Sequence, residues 1–109
     1  MKKYKQSGRN DKYPKEIEIW KFGEQPIPDW ISDRCKIKFI DAEGNITLDY
    51  RETNTGGIEF ISADGTRTEF TLRNKNNYAC WGDNRLFTLR EAQLNLLYKE
   101  EKDKKGRET

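Results

Sequence analysis

The sequence contains no histidine among its 109 residues and only two cysteines, Cys35 and Cys80. Without histidine, a protein has no imidazole general base, no histidine-activated Ser or Cys nucleophile and no zinc site of mixed Cys and His ligands. Two cysteines also cannot form a four-cysteine zinc site. We therefore predict a protein that is not an enzyme, with no catalytic residues, no metal ligands and no cofactor.

Long apolar runs are also missing, so the sequence offers no segment that could span a bilayer and no apolar core of a signal peptide. We expect the protein to work in the cytoplasm. In a reducing compartment the two cysteines are expected to be buried thiols, although Cys35 lies between Arg34 and Lys36 and would be reactive if it were exposed.

Apolar residues are few, at 33%, and charged residues make up 37%, yet the net charge is only +2 and the chain has three Trp, five Tyr and five Phe. The charges are unevenly placed. Residues 1 to 15 hold six Lys or Arg against one acid, residues 16 to 98 hold ten against fourteen, and residues 99 to 109 hold five against four. We predict a flexible basic arm (1–15), a single α+β domain (16–98) and a charged C-terminal tail (99–109).

The clearest succession of structural signals runs from residue 78 to residue 98. An apolar run ending at Trp81, a Gly82-Asp83-Asn84 turn and a second apolar run predict a hairpin. Thr88 and Glu91 have the spacing of a capping box, which predicts a helix starting at Thr88. The expected buried face of that helix consists of Leu89, Ala92, Leu96 and Leu97.

Earlier in the chain, residues 16 to 22 alternate like a strand, and Asp29 is predicted to cap a short helix that buries Trp30, Ile31 and Cys35. Two segments then repeat at an offset of 21 residues, FIDAEGNITL from Phe39 and FISADGTRTE from Phe60, and each predicts a hairpin. The expected fold is α+β, a small antiparallel meander of about six strands, with a partly open barrel as a variant. A short helix lies near its N-terminal side, and the C-terminal helix packs on the sheet.

In the first hairpin we expect Phe39 opposite Leu48, Ile37 opposite Tyr50 and Lys38 opposite Asp49, which places apolar residues on one face. In the second, a bulge would place Ile58, Phe60 and Phe70 together. We expect the aromatic rings on these hairpins to lie under the C-terminal helix that closes the fold. These rings belong to Phe39, Tyr50, Phe60 and Phe70.

Candidate partner-binding residues come from two patterns. Basic residues interleaved with tyrosine in the arm are typical of segments that contact phosphates or acidic proteins. Acidic residues at the hairpin turns serve turn geometry and solubility and add to the acidic surface of the body. The candidates are Lys2, Lys3, Tyr4, Lys5, Arg9, Lys12, Tyr13, Lys15, Glu43 and Asp64.

The segment Pro28-Asp29-Trp30-Ile31, and the hairpin led by Gly82-Asp83 with a helix ending at Tyr98, resemble features of small phage and prophage accessory proteins. The resemblance covers the two flanks of the domain and implies no catalytic activity. It implies a protein that binds a host macromolecule and can inhibit it, with a nucleic-acid-directed, CRISPR-like defence nuclease as one hypothesis, in the host cytoplasm. The alternatives are a small nucleic-acid-binding domain that uses the basic arm, and a structural phage component.

Overall fold

The computed structural model describes residues 2–101, and Met1 and residues 102–109 fall outside it. Within the described residues the chain forms ten strands and two helices. In chain order these are β1 (Lys3–Gln6), β2 (Glu16–Lys21), α1 (Asp29–Ser32), β3 (Ile37–Ile40), β4 (Ile46–Leu48), β5 (Tyr50–Glu52), β6 (Ile58–Ile61), β7 (Thr68–Leu72), β8 (Tyr78–Gly82), β9 (Arg85–Leu89), α2 (Glu91–Leu97) and β10 (Tyr98–Glu100).

The strands make three antiparallel sheets: a five-stranded sheet in the order β10-β1-β2-β8-β9, a hairpin of β3 and β4, and a three-stranded sheet in the order β5-β6-β7. The antiparallel α+β class is thus confirmed, but the prediction of about six strands in one meander is wrong. The central pairing of β2 with β8 joins segments about sixty residues apart, for example Ile19 with Cys80. Local sequence patterns do not reveal such a distant pairing.

Both faces of the five-stranded sheet are covered. Neighbouring residues of a strand point to opposite faces, so Ile19 and Trp20 of β2 enter two different apolar cores, as do Cys80 and Ala79 of β8. The first core lies between this sheet, α1 and the three-stranded sheet, and it contains Trp20, Ile31, Ile58, Phe60, Leu72 and Ala79. The second core lies beneath α2 and contains Ile17, Ile19, Cys80, Leu89, Leu94 and Tyr98.

The expected flexible arm differs from the structure, because Lys3–Gln6 form strand β1 between β2 and β10. Tyr4 faces the second core, and the hydroxyl of the buried Tyr98 donates a hydrogen bond to the Pro14 carbonyl. Lys99 and Glu100, expected in the charged tail, lie in β10, while residues 102–109 of that tail lie outside the described residues. A strand with only one apolar residue carries too weak a pattern to be recognised locally.

The hairpin and helix near the C-terminus are confirmed with changed details. Asp83 and Asn84 both have positive φ, of 51° and 59°, as a tight two-residue hairpin turn requires. The helix begins at Glu91 rather than at Thr88, because Thr88 belongs to β9, and the Gln93 side chain accepts a hydrogen bond from the Arg90 backbone N–H. The predicted buried face is confirmed in part: Leu89 is buried at the end of β9 and Leu97 packs against the second core, whereas Ala92 and Leu96 are exposed. The fully buried residue of the helix is Leu94.

The short helix α1 buries Trp30 and Ile31, and Cys35 just beyond it is also buried, as predicted. Asp29 does not cap this helix, since Pro28 occupies the N-cap position and no side-chain cap bond forms.

Both repeats form hairpins, and the glycine at the same place in each, Gly44 and Gly65, has positive φ. The bulged register of the second hairpin is confirmed, with Phe60 opposite Phe70 and their rings stacked at 4.7 Å.

The register of the first hairpin was wrong. Ile37 lies opposite Leu48, Phe39 opposite Thr47 and Ile40 opposite Ile46, with a bulge between Ile37 and Phe39. The predicted partner of Ile37, Tyr50, instead pairs with Phe60 in the three-stranded sheet. The cause lies in the turn: the Asp41 backbone N–H donates to the Asn45 carbonyl at 3.0 Å, so three residues close the hairpin and the pairing shifts by one residue. Asp49 accordingly lies beside Lys36, with an ion pair at 3.7 Å, instead of facing Lys38.

Candidate functional site

The six basic residues predicted to bind a partner, Lys2, Lys3, Lys5, Arg9, Lys12 and Lys15, are all exposed. Acidic groups lie close to half of them. In the register of β1 and β2, Lys3 lies opposite Glu18 and Lys5 opposite Glu16, and Arg9 forms an exposed ion pair with Asp11 at 3.4 Å. Oppositely charged cross-strand neighbours offset each other's field. On its other side Lys5 lies opposite Lys99 of β10, so positive charge remains at Lys2, Lys12 and Lys15 and at this pair of lysines.

The two tyrosines in this part of the chain serve the fold. Tyr4 and Tyr13 are half-buried and pack against the second core, and the rings of Tyr13 and Phe87 lie 5.7 Å apart. A ring held in this way presents little free face to a nucleic-acid base.

Glu43 and Asp64 lie at the turns of the two repeated hairpins and are exposed. The Glu43 backbone N–H donates to the Asp41 carboxylate, which organises the first turn. Asp64 accepts hydrogen bonds from the hydroxyls of Thr66 and Ser62, both at 2.7 Å, and these bonds hold the pKa of its carboxyl well below the usual value. Asp64 is thus explained by turn geometry.

An exposed apolar surface occupies strand β3. All four residues of this strand are exposed, including Ile37, Phe39 (55% exposed) and Ile40 (59% exposed). We call these three residues the hairpin patch. Tyr50, at the start of β5, is also exposed, at 38%. The expectation that Phe39, Tyr50, Phe60 and Phe70 lie under the closing helix is wrong, since that helix covers the second core, whereas Phe60 and Phe70 pack in the first core on the other face of the five-stranded sheet.

Next to the hairpin patch lies a cleft of about 200 Å³ with apolar walls. Ile46 lines it and sits directly opposite Ile40 in the hairpin, so Ile40 adjoins the cleft, whereas the side chain of the neighbouring Phe39 points to the other face of the hairpin. We call this the aromatic cleft. Its walls include Trp20, Phe22, Ile46, Leu48, Tyr50 and Phe60. Trp20, Leu48 and Phe60 are almost fully buried, whereas Phe22, Ile46 and Tyr50 reach the solvent.

The chemistry of the aromatic cleft is limited by its side chains. Glu24 is its single carboxylate, and Oε1 of Glu24 already accepts a hydrogen bond from the Lys21 backbone N–H at 3.0 Å. Among residues 2–101, no three His, Cys, Asp or Glu side chains are placed to hold a metal ion. The geometry suits the binding of an apolar group.

The two cysteines are both free thiols, and burial raises the pKa of Cys35 and of Cys80 to about 12. At Cys35 the nearby Glu69 adds to the effect of burial, and Arg34 opposes it. A thiol with such a pKa contains almost no thiolate near neutral pH and is a poor nucleophile.

Sequence reasoning missed the hairpin patch and the aromatic cleft, although one signal was available. Phe39 and Ile40 are adjacent, and adjacent strand residues point to opposite faces, so both cannot enter one core. The cleft brings together Phe22 and Tyr50 from distant strands, and no local pattern predicts that meeting.

Neither of the two helices in the described part of the chain is long and apolar enough to cross a membrane. Comparisons with protein-family models, with curated proteins and with solved structures found no match.

Proposed function

We propose that this protein is a non-enzymatic binding protein, and that the hairpin patch and the aromatic cleft are its contact surface for another protein. The single observation that carries the proposal is the exposure of three large apolar residues on one short strand, Ile37, Phe39 and Ile40 of β3. Exposed apolar residues grouped on one element are typical of surfaces that a partner covers. A two-stranded hairpin is only marginally stable by itself, so covering this one would also stabilise it.

The proposed partner is a host protein or nucleoprotein complex in the cytoplasm. The resemblance to phage accessory proteins makes a nucleic-acid-directed defence nuclease the specific hypothesis.

The test uses the tagged full-length chain to capture proteins from a bacterial host lysate. The double variant Phe39→Ser/Ile40→Ser removes the hairpin patch, and Leu96→Ser removes another exposed apolar residue, 78% exposed, from helix α2 as a control. We expect a protein that the wild type and Leu96→Ser capture and the double variant does not. A nuclease as that protein would support the specific hypothesis. Capture that is unchanged in the double variant would refute the proposed surface.

A second candidate function is nucleic-acid binding, which the exposed Lys2, Lys12 and Lys15 favour. Binding driven by phosphate contacts weakens steeply as salt rises. Fluorescence titration of single- and double-stranded oligonucleotides at two salt concentrations tests this candidate. Because β1 belongs to the sheet, the suitable variant is Lys2→Gln/Lys12→Gln/Lys15→Gln rather than a deletion of residues 1–15. Salt-sensitive binding that this triple variant abolishes would favour nucleic acid over a protein partner.

A further inference from the structure

We infer that the aromatic cleft receives one large apolar side chain of the partner, and that a basic residue next to it in the partner's sequence meets Glu24. This inference rests on the proposed function and specifies the chemistry of the partner segment. Three properties of the cleft carry it: its size, its fixed walls and the charge at its rim.

The size of the aromatic cleft suits one side chain. Its volume of about 200 Å³ is below the roughly 300 to 1,000 Å³ of pockets that hold drug-sized ligands. Its lining consists mainly of rings and aliphatic side chains, among them Phe22, Ile46 and Tyr50. Anchor pockets of this kind, filled by one buried apolar side chain, supply much of the affinity in many protein interfaces.

Hydrogen bonds and ring contacts fix the walls of the cleft before any partner arrives. The Trp20 indole N–H donates to the Glu24 carbonyl at 3.1 Å, which holds the loop after β2 against the sheet. The Gln25 side-chain amide donates to the Ile46 carbonyl at 2.9 Å and ties the same loop to the hairpin. A preformed cleft loses little conformational entropy on binding, which favours affinity.

The charge at the rim is negative. Glu24 is exposed, and among residues 2–101 its carboxylate forms no ion pair. The nearest cation in sequence, Lys21, directs its ammonium over the ring of Tyr78 at 5.7 Å from the centroid. Lys2 lines a neighbouring depression together with Glu24, but no ion pair joins these two side chains. Complementary charge therefore selects a Lys or Arg next to the apolar anchor.

Three blocked tetrapeptides serve as probes: Gly-Leu-Lys-Gly, Gly-Leu-Glu-Gly and Gly-Ser-Lys-Gly. Each is added in the millimolar range to the isotope-labelled full-length protein, and chemical shifts of the Ile46 methyl groups and of the Trp20 indole are followed. We expect saturable shifts with the Leu-Lys peptide and binding about two- to fivefold weaker with the Leu-Glu peptide, since one exposed charge pair contributes modestly. The Ser-Lys peptide should cause no shifts.

The variant Glu24→Gln keeps the acceptor for the Lys21 N–H but removes the charge, so it should bind the Leu-Lys and Leu-Glu peptides equally. Leu96→Ser should behave like the wild type. Absence of shifts at the cleft, or a preference for Leu-Lys that survives Glu24→Gln, would overturn the inference. If no peptide binds the cleft but the Phe39→Ser/Ile40→Ser variant still loses protein capture, the inference about the cleft is refuted and the proposed function is not. If the Leu-Lys peptide binds the cleft but the Phe39→Ser/Ile40→Ser variant captures the same proteins as the wild type, the proposed function of the hairpin patch is refuted.

Discussion

The ring of Phe22 meets the ring of Tyr50 edge-on, with 5.2 Å between the centroids and an interplanar angle of 81°. This contact joins the end of β2 to the start of β5, and so it links the five-stranded sheet to the three-stranded sheet at the mouth of the aromatic cleft. The Tyr50 ring also lies 6.2 Å from that of Phe60, which belongs to the first core. The cleft is thus an opening at the edge of the first core.

Replacing Tyr50 by alanine should open the cleft and lower the free energy of unfolding by about 1 kcal/mol, the usual value of an edge-to-face aromatic pair. Tyr50→Phe keeps the ring and should match the wild type. Urea denaturation followed by tryptophan fluorescence measures both. A Tyr50→Ala variant as stable as the wild type would show that the ring contact contributes nothing.

The turn residue Gly82 is buried, and a Cβ atom there would lie 2.6 Å from the Glu16 carbonyl oxygen and 2.8 Å from Cβ of Pro14. Gly82→Ala should therefore destabilise the fold by about 1 to 3 kcal/mol through overpacking. Gly8 has no other atom within 4 Å of such a Cβ, so Gly8→Ala is the matched control and should be neutral or slightly stabilising. Thermal unfolding compares the two variants, and equal melting temperatures would contradict the close approach of β8 to residues 14–16.

Removing the hydroxyl of Tyr98 tests whether the N-terminal segment belongs to the fold. Tyr98→Phe leaves the carbonyl of the buried Pro14 without its donor, at a cost of about 1 to 2 kcal/mol. Tyr50→Phe also removes a tyrosine hydroxyl, but from an exposed ring, and should cost nothing measurable. Equal urea midpoints for the two Tyr→Phe variants would argue that residues 3–15 are not anchored as the structure shows.

The hydrogen bonds to Asp64 predict a dependence of stability on pH. Its pKa is lower in the folded state than in the unfolded chain, so its contribution to stability is complete above the unfolded value of about 3.9. The contribution disappears as the pH falls toward the folded pKa. The difference in unfolding free energy between wild type and Asp64→Ala should shrink on acidification from about pH 7 to about pH 2.5.

Urea denaturation across that pH range measures the difference. Glu43→Ala is the control, because the Glu43 carboxylate accepts no hydrogen bond within residues 2–101. Near neutral pH, Glu43→Ala should lower the free energy of unfolding less than Asp64→Ala does. A difference for Asp64→Ala that grows on acidification would contradict the prediction.

The sequence predicted elements whose signals are local. The turn at Asp83-Asn84, the buried Trp30 and Ile31, and the bulge that brings Phe60 opposite Phe70 all follow from residue type and alternation over a few positions. The pairing of β2 with β8 could not be predicted, because it depends on contacts between residues about sixty positions apart.

The candidate site was harder to predict than the fold. In the sequence, the segment with Lys3, Tyr4 and Lys5 looks like a free basic arm. In the structure it is strand β1, whose register places Glu18 and Glu16 beside the lysines, and Tyr4 packs against the second core. Conversely, Phe39 and Ile40 resemble core residues, yet in the structure both are more than half exposed.

The central claim is that the hairpin patch contacts a protein partner, and calorimetric titration of that partner with the variants Phe39→Ser and Leu96→Ser tests it most directly. A contact residue at the centre of an interface contributes more than about 1 kcal/mol, so Phe39→Ser should raise Kd about fivefold or more. Leu96→Ser should leave Kd within about twofold of the wild-type value. Equal Kd values for Phe39→Ser and the wild type would contradict the account.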